Sequence, residues 1–428
     1  MMKKQSWDIN FVRSQFPAFK NEVSAETIFL ENAGGTYVPR QVIDHLNKFM
    51  ISTKVQPYGP YSLSQEGTEA IHQATKKMAE MINAEESEIV LGHCTTMNFY
   101  LLSMALHNQF QPGDEIIITN QDHESNISPW RRLKEYGLKI REWKINPGSG
   151  FLNPDDLDDL ISTKTRLVCM PHSSNIIGSV NDVTIVADKV HAVNGWLLVD
   201  GVSYAPHHAV DVKALKADIY CLSLYKVFGP HLGLMFVSEK LHPYLENQSL
   251  EFQPELYEKY RQPGSPNFLR IALNPGLVNH EEVASLLGLV EYFDRIYYHH
   301  YEQEEELFHK RVVCIHELIQ DHETQLAKKW LSYVSQQPKM QLIGSTETDS
   351  RFRSPTWSFC LKGKSTRSIA EQLAKNNIAV QSGSFYAWRC LQALNINSDP
   401  GVLRISLAHI NTIDEIEQLC TVMDEILS

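Results

Sequence analysis

An alternation between residues 88 and 237 constrains this chain more than any other feature. Short apolar runs occur at Glu88–Leu91, Glu115–Thr119, Arg166–Met170, Trp196–Val199, Asp218–Leu222 and Leu234–Val237. Helical patterns separate most of them, at about 96–108, 126–136, 154–162 and 183–193. Continuous apolar runs suit strands buried on both faces, and strand–helix alternation predicts βαβ units around a mostly parallel sheet. Such sheets bind ligands beyond the carboxyl ends of their strands. The polar residues just after each run are therefore the ones to read for chemistry.

Those residues form a set. After Leu91 comes Gly92-His93-Cys94-Thr95-Thr96, opening a helix at Met97. Hydroxyls and free amides there either cradle a phosphate or simply cap the helix. After Thr119 comes His123, whose ring could lie flat on an aromatic ligand or serve as a structural histidine. Asn175, beyond Met170, offers both donors and acceptors. Asp200 places an acid at the end of a buried strand. Last comes Ser223-Leu224-Tyr225-Lys226-Val227-Phe228-Gly229-Pro230-His231-Leu232-Gly233, a tight loop between two strands. Its glycines are expected to turn the backbone sharply and let it approach a ligand. Lys226 can form a Schiff base with a carbonyl if its surroundings favour the free amine, or it can be an ordinary solvated lysine. A phosphate cup, a flat side chain, an amide, a carboxylate and a lysine are the fittings that pyridoxal 5'-phosphate (PLP) needs.

Composition narrows the class. The chain has 428 residues, too many for one ordinary core, with 43% hydrophobic and 21% charged residues, as in globular proteins. A net charge of −12 argues against a nucleic-acid surface. No apolar run approaches membrane-spanning length, and the basic start at Met1–Lys4 lacks the apolar segment of a signal peptide. Seven scattered cysteines without a Cys-x-x-Cys pair suit a reducing, cytoplasmic compartment. The expected organisation is an N-terminal arm (1–25) joining the small domain, a large domain (26–294) and a smaller α+β domain (295–428). Within these, helices are expected over 66–84, about 279–294 and 295–330, with a turn-rich break at Pro263–Asn267. Strands follow at Ser354–Leu361, Ile378–Gln381 and Val402–Leu407. Thr412 and Glu415 form a capping box for a last helix with an apolar face of Ile413, Ile416, Leu419, Met423 and Ile426.

In this order the residues resemble the class V aminotransferase family of fold-type I PLP enzymes, in its cysteine desulfurase and selenocysteine lyase-like branch. The likeness runs from Phe29-Leu30-Glu31-Asn32-Ala33 to Arg404-Ile405-Ser406-Leu407. Between them lie Gly113–Ile118, His123 with Asn126, Pro129-Trp130, Val199-Asp200-Gly201, His207-His208 and Ser223 with Lys226 and Gly229-Pro230. Gly264-Ser265-Pro266-Asn267 matches the family's Gly-Thr-Pro-Asn. The resemblance implies an α/β fold, with a large domain on a mostly parallel seven-stranded sheet and a smaller α+β C-terminal domain. It also implies PLP held on Lys226, which later moves the substrate's α-proton. Asp200 would pair with the pyridine nitrogen. His123 would stack on the ring and Asn175 would bond the ring hydroxyl. Thr95, Thr96 and Ser223 would hold the phosphate, with Ser265 reaching in from the second subunit of a homodimer. Arg404 would clamp the carboxylate of an amino-acid substrate, beside Asn32 and Ala33.

Three departures bear on activity. Tyr225 stands where the branch has histidine and Ser203 where it has glutamine, both expected to contact the cofactor. The branch's Ser-Gly-His-His-Cys-Ala loop reads Ser382-Gly383-Ser384-Phe385-Tyr386-Ala387, so a phenol replaces the persulfide-forming thiol. Cys390, four residues on, reads better as a small buried apolar residue. The expected activity is a PLP-dependent lyase acting on an amino acid, with Lys226, His123 and Tyr386 catalytic. A true desulfurase using Cys390, a transaminase and a non-catalytic binding module are the alternatives.

Overall fold

Apolar runs buried on both faces build the sheet that the alternation predicts. The computed structural model describes residues 6–250, 268–276 and 278–428. After β1 (Ile28–Phe29) come β2 (Ile89–Gly92), β3 (Glu115–Thr119), β4 (Lys139–Trp143), β5 (Thr165–Pro171), β6 (Trp196–Asp200), β7 (Ile219–Ser223) and β8 (Gly233–Val237). The last seven hydrogen-bond in the order β2-β8-β7-β6-β5-β3-β4, and only β8 runs against its neighbours. Alternate residues face opposite layers. Val168, Val199 and Leu222 point into a core shared with helices Ser62–Met81, Val183–His191 and His280–His300. Cys169, Leu198 and Cys221 point into a second core with helix Thr95–Leu106. Each fully buried aliphatic side chain contributes about 1.5–3 kcal/mol.

The pattern misled in places. β4 escaped the sequence reading because it is an edge strand whose Lys139, Arg141 and Glu142 break any apolar run. The helix Arg40–Ser52 also went unread. The helix expected over 154–162 is only a 3-10 turn, Pro154–Leu157. Over 126–136 the backbone forms a short helix, Ser128–Arg132, between 3-10 turns.

The C-terminal part carries β9 (Met340–Ile343), β10 (Thr356–Leu361), β11 (Ile378–Ala379), β12 (Gln381–Gly383) and β13 (Val402–Ser406). Four of them form a sheet in the order β12-β13-β10-β9, while β11 pairs in parallel with β1. Trp357, Phe359, Leu403 and Ile405 pack under helices Phe308–Val334 and Ile413–Leu427. Thr412 and Glu415 form the expected capping box. Position 294/295 falls inside the unbroken helix His280–His300, and the expected 295–330 helix is interrupted between residues 301 and 307. The arm bonds to the C-terminal part through Arg13 with Glu415 (2.7 Å) and Trp7 Nε1 with His409 O (3.2 Å). Among the described residues no helix is long and apolar enough to cross a membrane. Pro263–Asn267, with Ser265, lies outside the described residues.

Candidate active site

β7 ends at Ser223 and a 3-10 turn, Leu224–Lys226, carries the lysine past the sheet's carboxyl edge. The sharp reversal falls on Phe228 (φ 62°), not on a glycine as expected. Gly233 has a different task. A Cβ there would lie 2.4 Å from Thr95 N and 2.5 Å from Cys94 C, so its bare backbone lets the start of helix Thr95–Leu106 press against β8. Lys226 opens onto a cleft. Thr95, Thr96, His123, Asn175, Asp200, Ser203, Ser223 and Tyr225 line it with Lys226, so one cavity gathers residues spread over 132 positions (from 95 to 226).

At one end the Thr95 and Ser223 hydroxyls are 2.8 Å apart, and the first amides of helix Thr95–Leu106 have no acceptor within the helix. This is an anion seat of hydroxyls and helix N–H groups. The Tyr225 ring stacks on His231 beside it (4.3 Å). On the floor, Asp200 is fully enclosed, and burial pushes its carboxyl up to about 6. One of its oxygens accepts from Val202 N (2.9 Å). Burial, together with the Arg404 charge, lowers the Lys226 ammonium to about 8 against the pull of Asp200 and Glu31. Free amine is therefore available near neutral pH. Burial also holds His123 neutral, down to about 3. Its Nδ1 accepts from Ser125 N (3.1 Å), which places the ring proton on Nε2.

The loop Ser384–Trp388 packs against the lining residues Asn175 and His123, and none of its own residues lines the cavity. Asn175 Nδ2 donates to Phe385 O (2.9 Å), Glu124 N donates to Tyr386 O (2.8 Å), and Arg389 pairs with Glu124 (2.7 Å). The exposed Tyr386 ring sits 5.3 Å from His123. Cys390 is wholly buried and its thiol is pushed up to about 12 by burial. Its burial matches a small apolar residue in the core.

Three expected substrate residues do not line the cavity. The Asn32 amide donates to Phe29 O, Ser406 O and Asn411 Oδ1, and Ala33 N donates to Ser406. Arg404 is buried behind them, its Nη2 on Glu31 (2.6 Å). His207 also sits away from the cavity, bound to Glu323 (3.0 Å). Sequence reading missed Asp122, a buried cavity-lining carboxyl whose proton affinity is raised by burial and by Asp200. Its place directly before His123 was the one available signal. Cys94 also lines the cavity at the phosphate end, with Sγ accepting from Met97 N (3.4 Å).

This arrangement agrees with known proteins. The aminotransferase class-V family matches residues 28–312 and 315–419. The chain is 35% identical to the aminotransferase-like protein FGM3 of Gibberella zeae over the whole of both chains. It is 31% identical to the cysteine desulfurase-like protein ustD of Aspergillus flavus, over 98% of this chain and 91% of that one. A cysteine desulfurase of Thermococcus onnurineus NA1 shares the fold, with a TM-score of 0.85, 24% identity and 99% coverage of both chains. The chain belongs to the aminotransferase class-V family, in its cysteine desulfurase-like branch, and is a PLP-dependent enzyme. The cavity fits that cofactor on its own terms: an anion seat at one end, a carboxyl on the floor, a neutral ring on one side and an amine with a lowered pKa.

Proposed function

We propose that the enzyme is a lyase that breaks a β-bond of an amino acid, the carbon–sulfur bond where the substrate carries one. The observation that carries this reading is the residue at the loop position of the desulfurase thiol, which is Tyr386, while Cys390 nearby is buried and held protonated. Attack on sulfur needs a thiolate, and neither group supplies one.

Bound in this cavity, PLP would serve as an electron sink for charge developing at the substrate's α-carbon. Thr95, Thr96 and Ser223 would hold its phosphate, and Asp200, becoming ionised, would hold the ring nitrogen protonated. His123 would cover one ring face, its orientation fixed by Ser125. Ser203 and Tyr225 would complete the cofactor contacts. Lys226, neutral at Nζ, would take the α-proton, and Arg404 would take the α-carboxylate. The Tyr386 hydroxyl would donate a proton to the departing group. Substrate and water then give a thiol, pyruvate and ammonium, and no protein sulfur is oxidised.

A homodimer is part of this reading. Met97 and Met104 are exposed on the helix that starts at the phosphate end, an apolar pair that a second subunit would cover. A reducing cytoplasm is part of it too: no disulfide forms among the described residues, which include all seven cysteines. The test is product analysis with cysteine, cystine and cysteine conjugates. Pyruvate and ammonium in equal amounts support the lyase. Stoichiometric alanine with a persulfide mapped to Cys94 or Cys390 overturns it in favour of a desulfurase, and keto-acid-dependent amino exchange overturns it in favour of a transaminase.

A further inference from the structure

The arginine assigned to the substrate's carboxylate already holds a carboxylate. Arg404 Nη2 donates to Glu31 Oε1 (2.6 Å), Nη1 donates to Asn175 O (3.3 Å), and Nε is buried with no partner. The Phe385 ring covers the guanidinium face, 3.7 Å from Cζ. Arg404 is 3% exposed and takes no part in lining the cleft, so no edge of it meets an incoming ligand without movement. A guanidinium recognises a carboxylate through its N–H donors, and Glu31 already takes one of them here.

The closed arrangement is poorly optimised. Glu31 Oε2 is buried without a partner, which costs free energy that a paired oxygen does not. Burial raises the Glu31 carboxyl above its ordinary value despite Arg404, as expected of an ion pair taken out of water. Phe385 and Tyr386 both sit in the left-handed region (φ 49° and 57°), a strained conformation for bulky side chains. The Asn175 amide, at the cavity wall, is committed to Phe385 O (2.9 Å).

We propose that Glu31 occupies the seat of the substrate's α-carboxylate on Arg404, and that an incoming carboxylate displaces it, lifts Phe385 and frees the Asn175 amide. The inference rests on the reading of Arg404 as the carboxylate clamp. It lowers the affinity for α-amino acids and leaves amines untouched, because only a carboxylate competes with Glu31 for Arg404. It also joins two events, since the amide released by carboxylate entry is the one placed to reach the cofactor ring.

The test titrates the holoenzyme with L-cysteine and L-alanine, and with cysteamine and ethylamine, which lack the carboxylate. Binding is read from the absorbance of bound PLP, independently of turnover. Glu31→Gln removes the competing charge and is expected to tighten both amino acids about tenfold while leaving the amines unchanged. Phe385→Leu should move the amino acids the same way, by less. Weaker or unchanged amino-acid binding in Glu31→Gln overturns the proposal, because Glu31 would then only orient Arg404. Should Glu31→Gln fail to fold, Glu31→Asp, one methylene shorter, is held to the same two outcomes. Arg404→Gln separates the layers. If it abolishes the preference for carboxylates while Glu31→Gln gives no tightening, the gate alone fails. If the preference survives Arg404→Gln, the clamp itself is wrong.

Discussion

Replacing Lys226 with methionine removes an ammonium that the fold holds at a cost. The ordinary lysine value of 10.5 falls to about 8 in the cavity. A gap of about 2.5 pH units at about 1.4 kcal/mol per unit amounts to ~3 kcal/mol. Lys226 is half-buried and open to cavity water, so ~2–3 kcal/mol is the expected range. The sign follows from proton counts. Below pH 8 both folded and unfolded states carry the ammonium, and the folded state bears the full penalty. Between pH 8 and 10.5 the unfolded chain binds more protons, so stability of the native sequence rises with pH. Cofactor-stripped Lys226→Met should therefore be more stable than the stripped parent at pH 7, and the difference should vanish by about pH 10.5. Unfolding entropy of about 2.1 cal/mol/K per residue gives roughly 0.9 kcal/mol/K for 428 residues, so Tm rises by roughly 2–3 °C. Paired thermal scans at several pH values measure this. The same variant should show no borohydride-reducible PLP. A gap in Tm that is absent at pH 7, or that persists unchanged above pH 10.5, would refute the reasoning.

Two other perturbations follow from the geometry. Gly233→Ala places a Cβ 2.4 Å from Thr95 N, so the helix start must shift and PLP affinity should fall about tenfold or more, measured by equilibrium dialysis. Cys390→Ala should leave kcat within about twofold while lowering the unfolding free energy by about 1 kcal/mol in denaturant titrations, as for a small cavity in a packed core; a large loss of turnover would put the thiol back into the mechanism.

The site was legible where local chemistry and strand ends coincide. Asp200, Lys226 and Thr95 each stand just past an apolar run, and topology delivers such residues to one edge of a parallel sheet. Asn175 was legible as a position, but its present partner, Phe385 O, was not. β4 was hidden because an edge strand with one paired side need not be apolar. The 154–162 stretch shows the opposite failure, apolar spacing that the tertiary fold resolves as a single 3-10 turn.

The sequence by itself determined the mostly parallel sheet, its helical layers and the lysine loop, because burial imposes a period on residues close in the chain. Only the tertiary structure decided which charges meet. Glu31 and Arg404 are 373 positions apart and carry no shared pattern, yet they form a buried pair at 2.6 Å. Such a pair is set by how two parts of the fold dock, where desolvation and geometry act together. The exclusion of Arg404 from the cleft, the strained Phe385 above it and the engaged Asn175 amide all follow from that docking.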